Sequence, residues 1–123
     1  MQSPVNLDIW NRAIELAVRI NALAARIPGD SAPGFANQSR RASSSIPANI
    51  AEGVGQISPT QCARFIALAI ASAFELESHL VLIQRLHPAL SDADATIDEL
   101  QQIRRIMDSY RKYTLRQTRK TVQ

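Results

Sequence analysis

The feature that most limits how this chain can fold is the spacing of apolar and small residues in the middle of the sequence. From position 62 to position 83 they recur every three or four residues, at Cys62, Phe65, Ala69, Ser72, Leu76, Leu80 and Ile83. This spacing places them on one face of an α-helix, close to the heptad repeat of packed helices. Ser58-Pro59 is a typical helix start, and Pro88 predicts that the helix ends before it.

Segments on either side repeat the same spacing, and both are predicted to be amphipathic helices. The first runs from Leu7 to Arg26, with Asn6 or Asp8 as its expected cap. Its apolar positions are Ile9, Ala13, Leu16, Ile20, Leu23 and Ile27. The last follows a turn around residues 90–94, where Ser91 or Asp92 is the expected cap. Its apolar positions are Ile97, Leu100, Ile103, Met107, Tyr110 and Thr114.

A further segment, predicted to be helical from near Phe35, contains a proline. Pro47 removes one backbone hydrogen bond and clashes with the carbonyl of Ser43, so a kink is expected there. The serines at positions 43–45 either bond carbonyls freed at the kink or simply cover the helix surface. Two stripes share this helix. The apolar stripe is Ala42, Ile46, Ile50, Gly53 and Ile57, and the polar stripe is Gln38, Arg41, Ser45, Ala48 and Glu52.

The polar stripe needs partners. Arg41 and Glu52 are about three turns apart, too far to pair with each other. Because buried polar groups left unpaired cost about 1–3 kcal/mol each, we expect a structural polar network that fixes the packing register, within or between protomers. Its predicted members are Arg41, Ser45, Asn49, Glu52 and Glu75. The alternative is a ligand or partner contact at the same place.

Composition favours an all-helical fold, since Ala, Ile and Leu are abundant and aromatic residues make up only 5% of the chain. Four helices with short connections predict an all-α, antiparallel, up-down-up-down four-helix bundle with a proline-kinked second helix. The length suits one domain. We expect that domain to cover residues 1–123, with a basic C-terminal tail from about residue 116.

No catalytic or metal site can be assembled from the sequence. The candidate ligands are Glu52, Glu75, Glu77 and His79. They lack the Glu-x-x-His spacing of di-metal carboxylate bundles. Cys62 falls on the apolar seam and is predicted to be a core residue, whereas Gly53 and Gly55 are expected to serve helix ends or close packing. We therefore predict no enzymatic activity, no cofactor and no metal.

A cytoplasmic location without membrane contact is also expected. Cys62 is the single cysteine, so no intrachain disulfide can form. The first ten residues lack the basic and apolar regions of a signal peptide. No apolar stretch is expected to approach the roughly 20 residues that span a bilayer.

Charge is unevenly distributed along the chain. Up to Ile103 there are seven basic and ten acidic residues, whereas from there onward there are seven basic and one acidic. The seven basic residues are Arg104, Arg105, Arg111, Lys112, Arg116, Arg119 and Lys120. Several share one helical face, which could neutralise phosphates in a salt-dependent, sequence-independent way. The alternative is a solvated helix terminus whose cations favour the negative end of the helix dipole.

The central half of the chain also carries a distinctive motif. Residues 39–53 read SRRASSSIPANIAEG, and residues 63–80 read ARFIALAIASAFELESHL. This resembles the 23S rRNA intervening sequence protein family, whose pattern has R-R-A, S-I-x-x-N-I-A-E-G and a following helix with F, I-A, S and E-L-E. The matching residues are Arg40, Arg41, Ala42, Ser45, Ile46, Asn49, Ile50, Ala51, Glu52, Gly53, Phe65, Ala69, Ser72, Glu75, Leu76 and Glu77. Ala73 departs from it, since relatives are expected to have glycine or serine there.

The resemblance implies a four-helix bundle that is often a homo-oligomer and in some relatives a pentameric ring. It also implies a relation to the accessory variability proteins of diversity-generating retroelements, which present basic surfaces to nucleic acid and to a reverse transcriptase. No activity is established for most family members, so the resemblance implies no reaction.

Together these features predict a non-enzymatic, oligomeric helical bundle that binds RNA or DNA through its fourth helix and basic tail, as an accessory to a nucleic-acid enzyme. Five copies in a ring would multiply the basic charge into a strong field. The competing hypothesis is a structural or protein-interaction module, in which the oligomeric surface binds a protein and the basic tail only aids solubility.

Overall fold

A computed structural model shows four α-helices joined by short connections. The helices are α1 (Asp8–Ala25), α2 (Phe35–Val54), α3 (Pro59–Leu86) and α4 (Asp92–Val122). The structure describes residue 4 and residues 7–29, 34–90 and 92–122, with side chains described as far as residue 117. These ranges contain four helices and no strand, so the predicted all-α, four-helix fold is confirmed.

Local sequence explains where α2 and α3 begin. The hydroxyl of Ser58 accepts a hydrogen bond from the backbone N–H of Gln61, and Pro59 is the first residue of α3, as predicted. Gly34 precedes α2 with a φ of 76°. This left-handed conformation is open to glycine at little cost, so Gly34 allows the chain to turn into the helix at Phe35.

The caps predicted for α1 and α4 are not confirmed. Leu7 occupies the cap position of α1 and makes no side-chain cap hydrogen bond. Asp8 and Asp92 are instead the first residues of their helices, where a carboxylate is stabilised by the positive end of the helix dipole. The other predicted caps, Asn6 and Ser91, lie outside the described residues.

Each helix contacts two neighbours, because α1 and α3 both pack against α2 and α4. Between α1 and α4, Arg12 pairs with Glu99 and Arg26 pairs with Asp92. Residue numbers therefore fall along α4 as they rise along α1, which is the order of antiparallel neighbours. The other cross-helix pairs, which follow the same order, are Ser39–His79, Ser45–Ser72, Glu77–Gln101 and Cys62–Tyr110. These pairings support the predicted up-down-up-down order.

The core lies between the four helices and is mostly aliphatic. Its largest fully buried apolar side chains are Leu16, Ile20, Ile46, Ile50, Ile66, Leu76, Leu80, Ile83, Leu100, Ile103 and Met107. Burying one such side chain stabilises the fold by about 1.5–3 kcal/mol. Ala69 and Ala73 are also fully buried, and their small size lets neighbouring helices approach α3.

Three positions of the apolar stripes predicted for α2 and α3 are not in the core. Phe65 and Ser72 are half-buried, whereas their neighbours Ile66 and Ala73 are buried, so the core face of α3 is turned by one residue at these points. Ile57 is 92% exposed. It lies in the loop because α2 ends three residues before it, and the helical spacing no longer applies there.

Pro47 is buried inside the continuous helix α2. The hydroxyls of the serines at 43–45 donate to the carbonyls of residues 40–42, each three residues earlier. None of these is the Ser43 carbonyl that loses its partner at Pro47, so the expectation that the serines bond the freed carbonyl is wrong. The kink at Pro47 stays a prediction.

Helix α3 is apolar on more than its core face. By length and composition it is the one described helix that could cross a membrane, with a mean hydropathy of 1.7 over 18 residues. The expectation that no apolar stretch reaches such a length is therefore wrong. A core helix passes the same test, and α3 packs against both α2 and α4. Its outer face adds Leu68, Phe74 and Leu82, which are 48%, 54% and 44% exposed.

Candidate nucleic-acid interface

Arg104 is held by the protein itself. Its guanidinium lies 4.4 Å from the centroid of the Phe74 ring and 3.8 Å from a carboxylate oxygen of Glu77. That oxygen is buried and has no hydrogen-bond partner among the described residues, so the nearby positive charge offsets the cost of burying it. Arg104 thus joins α4 to α3, and the exposed basic surface begins at Arg105.

The next basic residues face away from the core. Arg105, Lys112 and Arg116 are exposed, and steps of seven and four residues place them on one face of α4. Lys112 pairs with Asp108 at 3.0 Å, an exposed pair one turn apart that contributes little. Arg105 and Arg116 form no ion pair with any residue that the structure describes. This face is therefore open to an anionic partner.

The remaining basic residues extend this surface. Arg111 is half-buried and has no ionic partner within the described part of the chain. Arg119 and Lys120 belong to the last turns of α4, outside the residues whose side chains are described. Because α4 continues to Val122, the segment predicted to be a tail from about residue 116 is a continuation of the helix. Asp108 is the last acidic residue in the sequence.

A shallow cavity of about 190 Å³ lies at the same end of the bundle. Its walls come from the end of α2, the following loop and the start of α3, and α4 contributes Tyr110, Tyr113 and Thr114. Burial raises the pKa of Tyr110 to about 12, with the neighbouring Cys62 as the next cause. Tyr113 is 52% exposed. Aromatic surface therefore lies next to the basic face of α4.

Two pairs from the predicted polar stripe join α2 to α3. Arg41 forms an ion pair with Glu75 at 3.2 Å, and the hydroxyls of Ser45 and Ser72 are hydrogen-bonded to each other. The side chains of Arg41 and Glu75 are 69% and 41% exposed, so their pairing contributes at most about 1 kcal/mol. Ser72, which we predicted on the apolar seam, is instead the partner of Ser45.

Asn49 and Glu52 do not join these pairs. The side-chain amide of Asn49 donates to the carbonyl of Ser45 in its own helix at 2.8 Å. Glu52 is exposed, and its carboxylate bonds no other residue that the structure describes. The five predicted residues thus do not form one buried network within the described chain. Completion of the network between protomers stays a prediction.

The described residues do not gather the groups that metal binding needs. Within them, no cluster of three or more His, Cys, Asp or Glu side chains is placed to hold an ion. Cys62 is 7% exposed, as predicted for a core residue. His79 packs against the ring of Phe35 and lies 3.4 Å from the hydroxyl of Ser39, so it belongs to the α2–α3 contact.

Sequence reasoning missed the partners of Arg104 and the apolar outer face of α3. The outer face is formed by Leu68, Ala71, Phe74, Ser78 and Leu82. A signal for it was present, because no charged residue occurs at these surface positions between Arg64 and Arg85. The three-four spacing of α3 indicates its core seam and assigns no role to these residues.

The fold and the basic end of α4 place this protein among small all-helical bundles whose positive charge is concentrated at one end of the chain. Within that class, the chain matches the family model for the 23S rRNA-intervening sequence protein over residues 5–109. The protein belongs to this family, as its motif predicted. Among curated proteins, none matches the chain in sequence. The matched region contains Arg104 and Arg105 but ends before the other predicted basic residues, so the family match does not cover the main part of the basic surface.

Proposed function

We propose that this protein is a non-enzymatic, oligomeric helical bundle that binds RNA or DNA through the basic face of α4, as a cytoplasmic accessory to a nucleic-acid enzyme. The main support is the exposed face formed by Arg105, Lys112 and Arg116 on a helix end with no acidic residue after Asp108. Such a face neutralises phosphates without reading base sequence.

The outer face of α3 supports the oligomeric part of the proposal. From Leu68 to Leu82 it runs for about 21 Å along the helix and carries no charged residue at its exposed positions. A surface helix of a monomer normally presents polar residues outward. A second copy of the chain would cover this neutral face with an equally neutral one, and each added copy would add another basic helix end.

Binding measured against salt tests the nucleic-acid part. We expect a labelled RNA or DNA of mixed sequence to bind at low salt, with log affinity falling linearly with log salt. Replacing five basic residues of α4 with glutamine should remove most of this affinity. The residues to replace are Arg111, Lys112, Arg116, Arg119 and Lys120. No binding at low salt, or full binding by the variant, would contradict the proposal.

Mass in solution tests the oligomeric part. Leu68→Glu places a charge on the outer face of α3, and we expect it to reduce the assembly to monomers because a buried unpaired charge is costly. Val18→Glu is the matched control, since Val18 is 61% exposed on α1. A wild-type monomer, or equal masses for both variants, would exclude α3 as the contact between copies.

A protein-interaction module is the second candidate function, and the same apolar face favours it. A protein partner, such as a reverse transcriptase, would then cover α3 in place of a second copy, and the basic helix end would only aid solubility. A monomeric pure protein whose partners survive nuclease treatment and high salt would favour this alternative.

A further inference from the structure

We propose that the cavity between the α2–α3 loop and α4 receives an unpaired base of single-stranded RNA or DNA, which stacks on Tyr113 while the neighbouring cations hold its phosphates. This inference rests on the proposed nucleic-acid function. It adds that the protein prefers unpaired strands to duplexes, and that the Tyr113 ring is the cause of this preference.

The cavity joins three helices at one end of the bundle. Gly53 comes from α2, Ile57 from the loop and Pro59 from α3, while Tyr110 and Tyr113 come from α4. Its volume is about 190 Å³. Most of these groups are apolar or aromatic, so the cavity suits a flat, weakly polar ligand better than a hydrated ion.

Two large groups at the cavity are left in water. Ile57 is 92% exposed and Tyr113 is 52% exposed. A base placed against the Tyr113 ring would cover both side chains, and removing apolar surface from water is favourable. Stacking on an aromatic ring tolerates any base, because every base has a π-face.

The described lining of the cavity carries no negative charge that would repel phosphates. Tyr110 is half-buried there, and a tyrosine phenol is uncharged at neutral pH. No acidic side chain lines the cavity among the described residues. The nearest acid along α4, Asp108, is paired with Lys112.

Cations lie on the same stretch of α4 as the ring. Arg116 follows Tyr113 by three residues, which makes the two side chains neighbours on the helix surface. Lys112 directly precedes Tyr113 in the sequence. A single strand bound here could place one base on the ring and its phosphates on the cations, which is how proteins bind unpaired strands without sequence preference. In a duplex the base faces are already stacked, so the ring gains nothing.

Fluorescence anisotropy with four probes tests the inference: a single-stranded RNA, the DNA of the same sequence and the duplex of each, all at one salt concentration. Tyr113→Ala should weaken binding of the single strands by about 5- to 150-fold and leave duplex binding unchanged. Tyr113→Phe keeps the ring and should bind as the wild type does. Ile57→Ser, at a residue whose exposure makes a folding defect unexpected, should weaken single-strand binding in the same direction.

The outcomes separate this inference from the proposed function. If the wild type binds all probes and Tyr113→Ala binds them equally well, or loses single strands and duplexes alike, stacking on Tyr113 is excluded while the phosphate contacts stand. If the wild type binds no probe at low salt, the nucleic-acid function itself fails. A loss confined to RNA or to DNA supports stacking and identifies the strand that is bound. Circular dichroism of each variant confirms that it is folded.

Discussion

The α2–α3 contact and the C-terminal end of α4 use polar and charged residues in opposite ways. At the α2–α3 contact such residues have partners within the protein, as in the pairing of Ser45 with Ser72. The two helices are also close, because a Cβ added at Gly53 would lie 3.1 Å from the carbonyl of Cys62. At the end of α4, Arg116 is exposed and has no ionic partner among the described residues.

This difference shows where function should be sought. The motif region around Pro47 is rich in polar residues and could pass for an active site by sequence alone. Its side chains mostly bond their own helix or the neighbouring one, so they stabilise the packing of the bundle. Unpaired positive charge and exposed aromatic surface occur together at the other region.

The largest loss of stability is expected when a side chain on the buried face of α3 is truncated. Leu76 is 0% exposed, and Leu76→Ala should lower the free energy of unfolding by about 2–5 kcal/mol through lost burial and a cavity. Leu68→Ala, on the outer face of the same helix, should change the stability of the monomer by less than about 0.5 kcal/mol, so the two variants are compared at a concentration low enough to keep the chain monomeric. Urea unfolding at one protein concentration measures both. Equal losses would mean that the two faces of α3 are not distinct.

The next effect concerns the close approach of α2 and α3. Gly53→Leu should destabilise the fold by about 1–3 kcal/mol, because the new side chain has no room against α3. Gly55→Leu is the matched control, since a Cβ there would meet only ordinary contacts of 3.4 Å or more. Thermal unfolding compares the two variants. Equal stabilities would contradict the close packing at Gly53.

A smaller effect is expected from the ion pair between α2 and α3. A double-mutant cycle on Arg41 and Glu75 should give a coupling energy of about 0.2–1 kcal/mol, because both side chains are largely in water. Arg116→Gln, at an exposed residue with no ionic partner in the described part of the chain, should leave stability within about 0.5 kcal/mol of the wild type. A coupling well above this range would show that the pair is buried in the assembly.

The last effect is confined to high pH and is absent near neutral pH. Because the pKa of Tyr110 is raised from 10.0 to about 12 in the folded protein, its contribution to stability is complete below pH 10 and is lost as the pH rises toward 12. Thermal unfolding between these values should show a decline that Tyr110→Phe lacks. A parallel decline in the variant would mean that other groups cause it.

Much of the fold could be predicted because its signals are local. The start of α3 follows from Ser58-Pro59, and the core positions of α4 follow from three-four spacing. The same spacing misplaced Ile57, because a periodic pattern does not show where the helix stops. Phe65 was misplaced by a rotation of one residue, which depends on how α3 packs between its neighbours.

The candidate site could be predicted only in part, because charge is visible in a sequence and pairing is not. Counting basic and acidic residues along the sequence located the basic end of the chain. It did not separate Arg104, which is held by Glu77 and Phe74, from Arg105, which is exposed. The register of α3 against α4 decides that difference. The cavity at Tyr113 likewise depends on the loop after α2 meeting α4, which no local pattern indicates.

The salt dependence of nucleic-acid binding tests the central claim, that the end of α4 and not the rest of the bundle meets the partner. Arg111→Gln/Arg116→Gln should make the negative slope of log affinity against log salt shallower by about 1.4–1.8, because two phosphate contacts are lost. The matched double variant Arg40→Gln/Arg85→Gln removes the same charge from the start of α2 and the end of α3, and its slope should equal that of the wild type. Equal changes in both variants would contradict the account.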